Sequence, residues 1–182
     1  MLSKLSLITE STPARVSFAE AMSTLASGVV VVTSRRDGRP WGSTVTAFAS
    51  VSADPPTVLV SLCTNGSAGR AIAATRQFGV SILAEEQLAV ALYASAPGKP
   101  KFLEAFAEPD ASSATPVVAG ALAHLDCDVV ETVDVADHTI FFGRVRAASA
   151  TDAGAPLVYH RRRYRALAAD PATERSTTCL MS

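Results

Sequence analysis

Apolar runs and turn signals alternate along most of the chain, and this pattern predicts strands joined by hairpins. VVVVTS (29–34) is a continuous β-branched run, which is typical of a buried strand. The Asp-Gly pair at 37–38 is a strong hairpin signal, so a second strand is expected to return through PWGSTVTAFASVS (40–52). The DPP sequence at 54–56 ends that strand, because proline has no N–H to donate to a ladder. TVLVSLC (57–63) is then predicted as a third strand.

The second half of the chain contains further strand-like segments and a second hairpin. FGVSIL (78–83) and PLVYH (156–160) are short β-prone runs. Odd positions from 125 to 135 are mostly apolar, which predicts a half-buried strand. The polar, even side of that strand carries Asp126, Asp128, Thr132 and Asp134. DHTIFFGRVRAA (137–148) follows as its antiparallel partner, across a tight turn at 135–137.

Three segments have the composition and spacing of short helices. In the first, Ser17 is placed as an N-cap and Gly28 as a stop. SAGRAIAAT (67–75) follows a turn at NGS, and AEEQLAVALYASA (84–96) is rich in helix formers. The apolar spacing is set by Phe18, Met22 and Leu25 in the first helix and by Leu88, Leu92 and Tyr93 in the third.

Six or seven strands in hairpins, with two or three short helices, predict a mainly β protein. Antiparallel strands joined this way close naturally into a barrel, which removes exposed sheet edges. No βαβ alternation dominates and no GxGxxG occurs, which argues against a Rossmann domain. We expect a loose leader at 1–16, one domain at 17–167 and a flexible tail at 168–182.

Composition narrows the class of protein. The chain has 182 residues, 48% of them hydrophobic, which fits one folded domain. Sixteen basic and seventeen acidic residues give a net charge of -1, so there is no general reason to expect nucleic acid or an anionic membrane as a partner. No apolar run approaches the roughly 20 residues that span a bilayer. Three cysteines without metal spacing argue against a disulfide framework or a metal site, and we expect a soluble, cytoplasmic protein.

GSTVTAF (42–48) follows the predicted hairpin and carries the hydroxyls of Thr44 and Thr46 on one side. Together with backbone N–H groups between small residues, these hydroxyls suit the polar edge of a flat heterocycle. Threonine also favours strands for packing reasons alone. Spacing by itself therefore favours an ordinary strand over a ligand-binding one.

Two polar segments suit phosphate groups. NGSAGR (65–70) places Ser67 at a helix start and Arg70 one turn in, an arrangement that binds anions, although an ordinary helix cap explains the same residues. HRRRYR (160–165) is a short basic run. A solvated surface explains it, and so does contact with one phosphate of a small dinucleotide.

Two single positions each have two interpretations. Phe102, after Lys101, either covers a ligand ring or pins its own loop to the core. His138, at the start of a predicted strand, either contacts a ligand or is a satisfied turn residue. The sequence has no Ser-His-Asp spacing, no metal cluster and no paired carboxylates with a clear role.

Taken in order, these segments resemble the flavin reductase family, the small reductase components of two-component flavin-dependent monooxygenases. The resemblance covers about residues 18–167. The segments that carry it occur in this order along the chain: residues 28–62, NGSAGRAI (65–72), FGVSIL (78–83), KF (101–102), DHTIFFGRV (137–145) and PLVYHRRRY (156–164).

The resemblance implies a Greek-key split β-barrel that binds flavin and forms a homodimer. The resemblance implies that the flavin ring lies against Thr44, Val45, Thr46 and Ala47, and that the neighbouring wall consists of Ser61, Leu62 and Cys63. It implies that the phosphate turn contains Ser67, Ala68 and Arg70, and that the loop beside it contains Lys101 and Phe102. The residues it implies near the nicotinamide nucleotide are His138, Tyr159, Arg161 and Arg163. Two positions depart from the family pattern: Ala68 replaces a common Thr, and Pro100 precedes the Lys-Phe pair.

The function that the resemblance implies is NAD(P)H-dependent reduction of FAD or FMN. A hydride would pass from nicotinamide C4 directly to flavin N5, so no catalytic side chain is implied and the protein supplies orientation and electrostatics. Backbone amides near 44–47 would stabilise charge at flavin N1/O2. Reduced flavin would then leave for a separate monooxygenase. The alternatives are a non-catalytic flavin- or haem-binding barrel, a pyridoxamine-phosphate-oxidase-like oxidase and, against the neutral charge, a nucleic-acid binder.

Overall fold

A seven-stranded antiparallel sheet dominates the computed structural model, which describes residues 13–108, 113–152 and 154–167. The helices are α1 (Pro13–Ser23), α2 (Ser67–Thr75) and α3 (Leu88–Ser95). The strands are β1 (Ser27–Gly28), β2 (Val30–Arg36), β3 (Arg39–Val45), β4 (Phe48–Ala53), β5 (Pro56–Cys63), β6 (Gln77–Ile82), β7 (Ala107–Glu108), β8 (Val117–Val118), β9 (Ala123–Val135), β10 (His138–Ala150), β11 (Val158–His160) and β12 (Arg163–Arg165). The predicted mainly β class is therefore confirmed.

The order of the sheet, β3-β2-β6-β9-β10-β5-β4, places two consecutive strands at its opposite edges. Only Thr46 and Ala47 connect β3 to β4, a path of three Cα–Cα steps or roughly 11 Å. The sheet must therefore curl until its edges approach each other, which makes it a split β-barrel. The single strand predicted over 40–52 was wrong, because its two halves pair with different neighbours, β2 and β5.

The valine run at 29–32, which leads into β2, is buried on both of its faces. Val30 and Val32 join the cluster inside the barrel, while Val29 and Val31 pack in a second cluster beneath α3. A continuous apolar run is what a doubly covered strand requires, so the predicted buried strand is confirmed. Inside the barrel, a Cβ at Gly143 of β10 would overlap the ring of Phe78, which belongs to β6. The glycine therefore leaves room for this ring in the core.

The two predicted hairpins are present. Asp37 and Gly38 have φ values of 52° and 74°, the positive values that a two-residue type I′ turn needs. The second hairpin turns at 136–137, and Val135 pairs with His138. A third hairpin, β11–β12, was missed, because its turn consists of Arg161 and Arg162, with φ values of 48° and 59°, instead of the usual glycine or asparagine.

Two of the helices differ from the sequence expectation. Helix α1 begins at Pro13, so its first turn lies within the segment expected to be a loose leader. Residues 1–12 and the predicted tail at 168–182 lie outside the described residues. Helix α3 buries Val90, Ala91 and Ala94, whereas Leu88, Leu92 and Tyr93, on which its predicted apolar face rested, are exposed. The smaller side chains let α3 lie close to β3.

The even side of β9 is not a solvent face at its beginning. His124 and Asp126 are both buried, and Asp126 accepts hydrogen bonds from the Ser113 hydroxyl (2.9 Å) and from the N–H and hydroxyl of Thr115. The His124 Nδ1 lies 3.0 Å from the Ser81 hydroxyl. Burial pushes the pKa of Asp126 upward, but the donors from Thr115 and Ser113 with the neighbouring His124 outweigh it, and the pKa is lowered.

Within the part of the chain that the structure describes, no helix is both long and apolar enough to cross a membrane.

Candidate functional site

Two neighbouring cavities meet at the start of α2. The loop cavity, of about 490 Å³, is lined by Trp41, Ser67, Arg70 and the 98–102 loop. The turn cavity, of about 510 Å³, lies between the β2–β3 turn and α2 and is lined partly by Ala71 and Ala74. Both cavities share Arg36, Asp37, Ser67 and Arg70. The structure thus brings together Ser67, Arg70, Lys101 and Phe102, which are separated in sequence.

Gly66, and not Ser67, is the N-cap of α2. Gly66 has an extended backbone, and its N–H donates to the Cys63 carbonyl at 2.8 Å. A Cβ at Gly66 would lie 2.9 Å from that carbonyl oxygen, so the turn requires glycine. Ser67 is the first helical residue and not the N-cap, so the ordinary-cap interpretation was wrong for its hydroxyl. The first N–H groups of a helix lack intrahelical acceptors, so this end of α2 suits an anion.

The charged side chains around the loop cavity are mainly cationic. Its lining includes four basic residues and one acidic residue, in order Arg36, Asp37, Arg70, Lys99 and Lys101. Partial burial lowers the pKa of Lys101, whose ammonium donates a long 3.5 Å hydrogen bond to the Ser43 hydroxyl. A near-neutral protein thus concentrates positive charge at one place, which attracts phosphate groups.

The 98–102 loop is fixed against the edge of β3. Gly42 N–H donates to the Lys101 carbonyl at 3.1 Å, and Phe102 packs edge-on against Trp41 with ring centroids 4.9 Å apart. The Arg39 guanidinium lies 3.6 Å from the Phe102 ring centroid and pairs with Glu104 at 2.6 Å. These contacts favour the interpretation that Phe102 pins the loop, and they place Lys101 beside the start of α2.

A third space, the tyrosine cavity, borders the 46–47 connection. It measures about 360 Å³ and is lined by Thr46, Ala47, Tyr159, Arg162 and part of α1. The structure brings Tyr159 to the predicted ring-binding segment, although these residues are far apart in sequence. Arg162, which sequence reasoning missed, lines this cavity.

Neither Arg161 nor Arg163 is among the residues that line the tyrosine cavity. Arg161 occupies the β11–β12 turn, and its backbone N–H donates to the Ser23 carbonyl at 2.8 Å. Arg163 is exposed on β12. Three consecutive arginines are equivalent in sequence, and only the unpredicted turn distinguishes them.

The two threonines of GSTVTAF have different environments. The Thr44 hydroxyl donates to the Ala91 carbonyl of α3 at 2.8 Å, which commits it to packing. Val45 is buried in the barrel core. Thr46 is exposed and lines the tyrosine cavity. The predicted pair of ligand-facing hydroxyls is therefore reduced to one.

Strand β5 connects the tyrosine cavity with α2. Ser61 N–H donates to the Ala47 carbonyl at 3.0 Å, and Cys63 holds Gly66 as described above. Along this strand Ser61 is half-buried and Cys63 is exposed, whereas Leu62 points into the barrel core. At the other end of the predicted site, Ala68 is buried and packs in the same core. Ala47, Ser61 and Cys63 therefore form a path of backbone contacts along β5, from the edge of the tyrosine cavity to the start of α2.

His138 lies at the end of this path. It is opposite Cys63 in the β5–β10 register, and Thr64 N–H donates to the Asp137 carbonyl at 2.9 Å. The imidazole Nδ1 is 2.8 Å from the Asp137 carboxylate, and both side chains are largely exposed. The histidine is thus oriented by its neighbour but open to a ligand. His138 lies beside Cys63 and is not among the residues that line the tyrosine cavity. The structure therefore does not bring it together with Tyr159 in one cavity.

In the described ranges, no group of three His, Cys, Asp or Glu residues is placed to hold a metal ion.

The chain was compared with known protein families and curated proteins. A family model described as "Flavin reductase like domain" matches residues 22–168. An NADH-dependent flavin reductase from Rhodococcus sp is 38% identical over 156 residues, which cover 81% of this chain and 84% of the relative. The reductase component of a 4-nitrophenol 4-monooxygenase/4-nitrocatechol 2-monooxygenase from Rhodococcus opacus is 36% identical, covering 82% of this chain and 80% of the relative.

Solved structures with the same architecture were also found. The NADH:FAD oxidoreductase SgcE6 of Streptomyces globisporus C-1027, in complex with NAD and FAD fragments, has a TM-score of 0.80 and 30% identity over 87% of this chain and 95% of that one. BorF, the flavin reductase component of a bacterial two-component tryptophan halogenase, has a TM-score of 0.77 and 34% identity over 86% of this chain and 99% of that one.

Proposed function

The chain belongs to the flavin reductase family, and from that premise we propose that it oxidises NADH and reduces FAD or FMN. The observation that carries this proposal is the path of Ala47, Ser61 and Cys63 between the tyrosine cavity and the cationic start of α2. A flavin has the matching form, a flat ring system with phosphate at one end.

The donor groups at the start of α2 fit the phosphate end of a flavin. Ser67, Arg70 and Lys101 line one cavity there, and the glycine turn at Gly66 keeps the backbone close. Arginine, hydroxyl and helix N–H groups together bind phosphate in many proteins. One acidic side chain, Asp37, lies in the same lining and is exposed.

The ring end is provided by the 46–47 connection and the outward residues of β5. Thr46 and Ala47 lie between the paired parts of β3 and β4, so their N–H groups are outside both ladders. Such N–H groups stabilise negative charge that develops on a neighbouring ring. The chemistry that a bound flavin supplies is acceptance of a hydride at N5, while the C4–H bond of the reduced nicotinamide breaks.

The residues that we assign to the nicotinamide nucleotide are His138, Tyr159 and Arg162. His138 is exposed next to Cys63, and Tyr159 and Arg162 line the tyrosine cavity. Their role is to position the nucleotide against the flavin, since direct hydride transfer needs no side-chain acid or base. We propose NADH over NADPH because two of the proteins reported above, the Rhodococcus sp relative and SgcE6, have NADH in their names.

We further propose that the reduced flavin leaves for a separate flavin-dependent monooxygenase. The Rhodococcus opacus relative is a reductase component of this kind. A homodimer also belongs to the proposal. The exposed apolar side chains of α3, those of Leu88, Leu92 and Tyr93, support it, because a subunit interface would cover them. Light scattering during size-exclusion chromatography measures the subunit number directly.

The direct test is a steady-state assay with two flavins and two nicotinamide nucleotides. NADH absorbance should fall when FAD or FMN is added, and NADPH should give a lower kcat/KM. Absence of oxidation with either flavin would instead indicate a binding protein without reductase activity.

A further inference from the structure

We propose that the chain selects FAD over FMN by holding the adenosine half of FAD in the turn cavity. This inference rests on the proposed function, because it names which flavin that site takes. The turn cavity lies between the β2–β3 hairpin turn and α2, and its lining includes Arg35, Arg36, Ala71 and Ala74. At about 510 Å³, it falls within the range of roughly 300 to 1,000 Å³ that small-molecule sites occupy.

The turn cavity continues the phosphate end of the site. Ser67 and Arg70 line both this cavity and the loop cavity, which also contains Lys99 and Lys101. FMN ends at one phosphate, whereas FAD continues through a second phosphate into adenosine. A diphosphate at the shared boundary therefore has cations on both sides, and the group attached to it extends toward α2.

The surfaces of the turn cavity suit a flat, weakly polar ring. Ala71 and Ala74 are three residues apart and so lie on one side of α2. Their methyl groups leave the floor open, where larger side chains would fill it. On the opposite side, Arg35 and Arg36 are exposed residues of the hairpin. A planar guanidinium stacks on aromatic rings, which suits adenine.

The two arginines are only weakly held by the chain itself. The closest approach of Arg36 to Asp37 is 3.9 Å, with both side chains half-exposed or more, and Arg35 donates to the Gly38 carbonyl at 3.4 Å. The Arg36 guanidinium also lies 5.2 Å from the Trp41 ring centroid, a cation–π contact of an exposed side chain. Exposed contacts of this kind contribute little free energy. Both guanidinium groups can therefore turn toward a ligand at small cost.

The adenosine of the nicotinamide nucleotide is the competing occupant. Tyr159 and Arg162, which we assign to that nucleotide, line the tyrosine cavity. The turn cavity lies instead beyond Ser67 and Arg70, where the flavin phosphate is placed. Its position therefore favours the adenosine of FAD.

A matched pair of variants on α2 tests the assignment. Ala74→Leu would place a larger side chain in the turn cavity, whereas Ala73 is its exposed neighbour and is not among the residues that line that cavity. Leucine is a good helix former, so both variants should fold. Dissociation constants for FAD and FMN, measured by isothermal titration calorimetry without NADH, give a readout independent of turnover.

We expect the unsubstituted chain to bind FAD about tenfold more tightly than FMN. Ala74→Leu should raise the Kd for FAD by about tenfold and leave the Kd for FMN within about twofold, while Ala73→Leu should change neither. Equal FAD affinity in the two variants would overturn the proposal, and so would a higher KM for NADH with unchanged FAD binding. If the chain bound FAD as expected but oxidised no NADH, the proposed function would fail while this site stood.

Discussion

The N–H of Ser61 donates a hydrogen bond of 3.0 Å to the carbonyl of Ala47. This bond joins β5 to the connection between the two edge strands of the sheet. It places the half-buried, outward side of β5 next to the tyrosine cavity, and Cys63, two residues further, holds the turn before α2. One short strand therefore links the places that we assign to the ring and to the phosphate of a flavin.

Loss of Arg70 should weaken flavin binding through the phosphate. A hydrogen bond to a charged group contributes about 1.5–3 kcal/mol, so Arg70→Ala should raise the Kd for FAD or FMN by roughly ten- to hundredfold. Riboflavin has no phosphate and should bind the variant as it binds the unsubstituted chain. Arg144→Ala removes an equal charge from the exposed part of β10 and is the control. An equal loss for riboflavin would show that Arg70 does not act on phosphate.

His138 should affect the nicotinamide nucleotide and spare the flavin. His138→Ala is expected to raise the KM for NADH, with the Kd for flavin little changed, because the imidazole is exposed and is not among the residues that line the loop cavity or the turn cavity. Steady-state kinetics and flavin titration measure the two effects separately. A large loss of flavin binding with normal NADH kinetics would contradict the assignment.

The buried carboxylate of Asp126 should stabilise the fold. It accepts hydrogen bonds from Ser113 and Thr115, so Asp126→Asn should lower the free energy of unfolding by about 2 kcal/mol at neutral pH. Asp128→Asn, next but one along β9, breaks a partly exposed pair with Arg146 and should cost less than about 1 kcal/mol. Urea unfolding of both variants checks the difference, and equal costs would contradict it.

The same carboxylate predicts a pH dependence. The pKa of Asp126 is lower in the folded chain than its ordinary value of 3.8, so the folded state prefers the ionised form. Its contribution is fully present above pH 3.8 and is lost as the pH falls through the lowered folded-state value. The stability difference between Asp126→Asn and the unsubstituted chain should therefore shrink in acid. A difference that stayed constant down to the lowest pH at which the chain is folded would exclude this role.

The buried side of α3 can be tested by another pair of substitutions. Val90 is 3% exposed and Leu92 is 52% exposed. Val90→Ala should lower the free energy of unfolding by about 2 kcal/mol, whereas Leu92→Ala should change it by about 0.5 kcal/mol or less at low protein concentration. If Leu92→Ala is the more costly, the helix packs by the face that its sequence predicted.

Local signals in the sequence were enough for the two predicted hairpins and for α2. The Asp37-Gly38 turn needs positive φ at both residues, and Gly66 allows the turn that starts α2, so the chemistry of a few neighbouring residues decides each structure. The predictions failed where contacts with elements distant in the sequence determine the local structure. The Thr44 hydroxyl is committed to Ala91, and β3 ends at Val45 because the next strand pairs elsewhere.

The proximity of candidate site residues follows from the sequence where one segment supplies several of them, and it does not follow where packing selects among similar residues. Ser67 and Arg70 are one turn apart on one helix, so their proximity follows from sequence. Arg161, Arg162 and Arg163 differ only in their positions in an unusual turn, and that turn places Arg162 in the tyrosine cavity. No sequence pattern distinguishes them.

The most direct test of the proposed activity is an anaerobic titration of the protein and oxidised flavin with NADH. The visible absorbance of oxidised FAD or FMN should disappear with one NADH consumed per flavin, because one hydride carries both electrons. Flavin that stayed oxidised, at protein concentrations where calorimetry shows it bound, would contradict the proposal and leave a flavin-binding barrel without reductase activity.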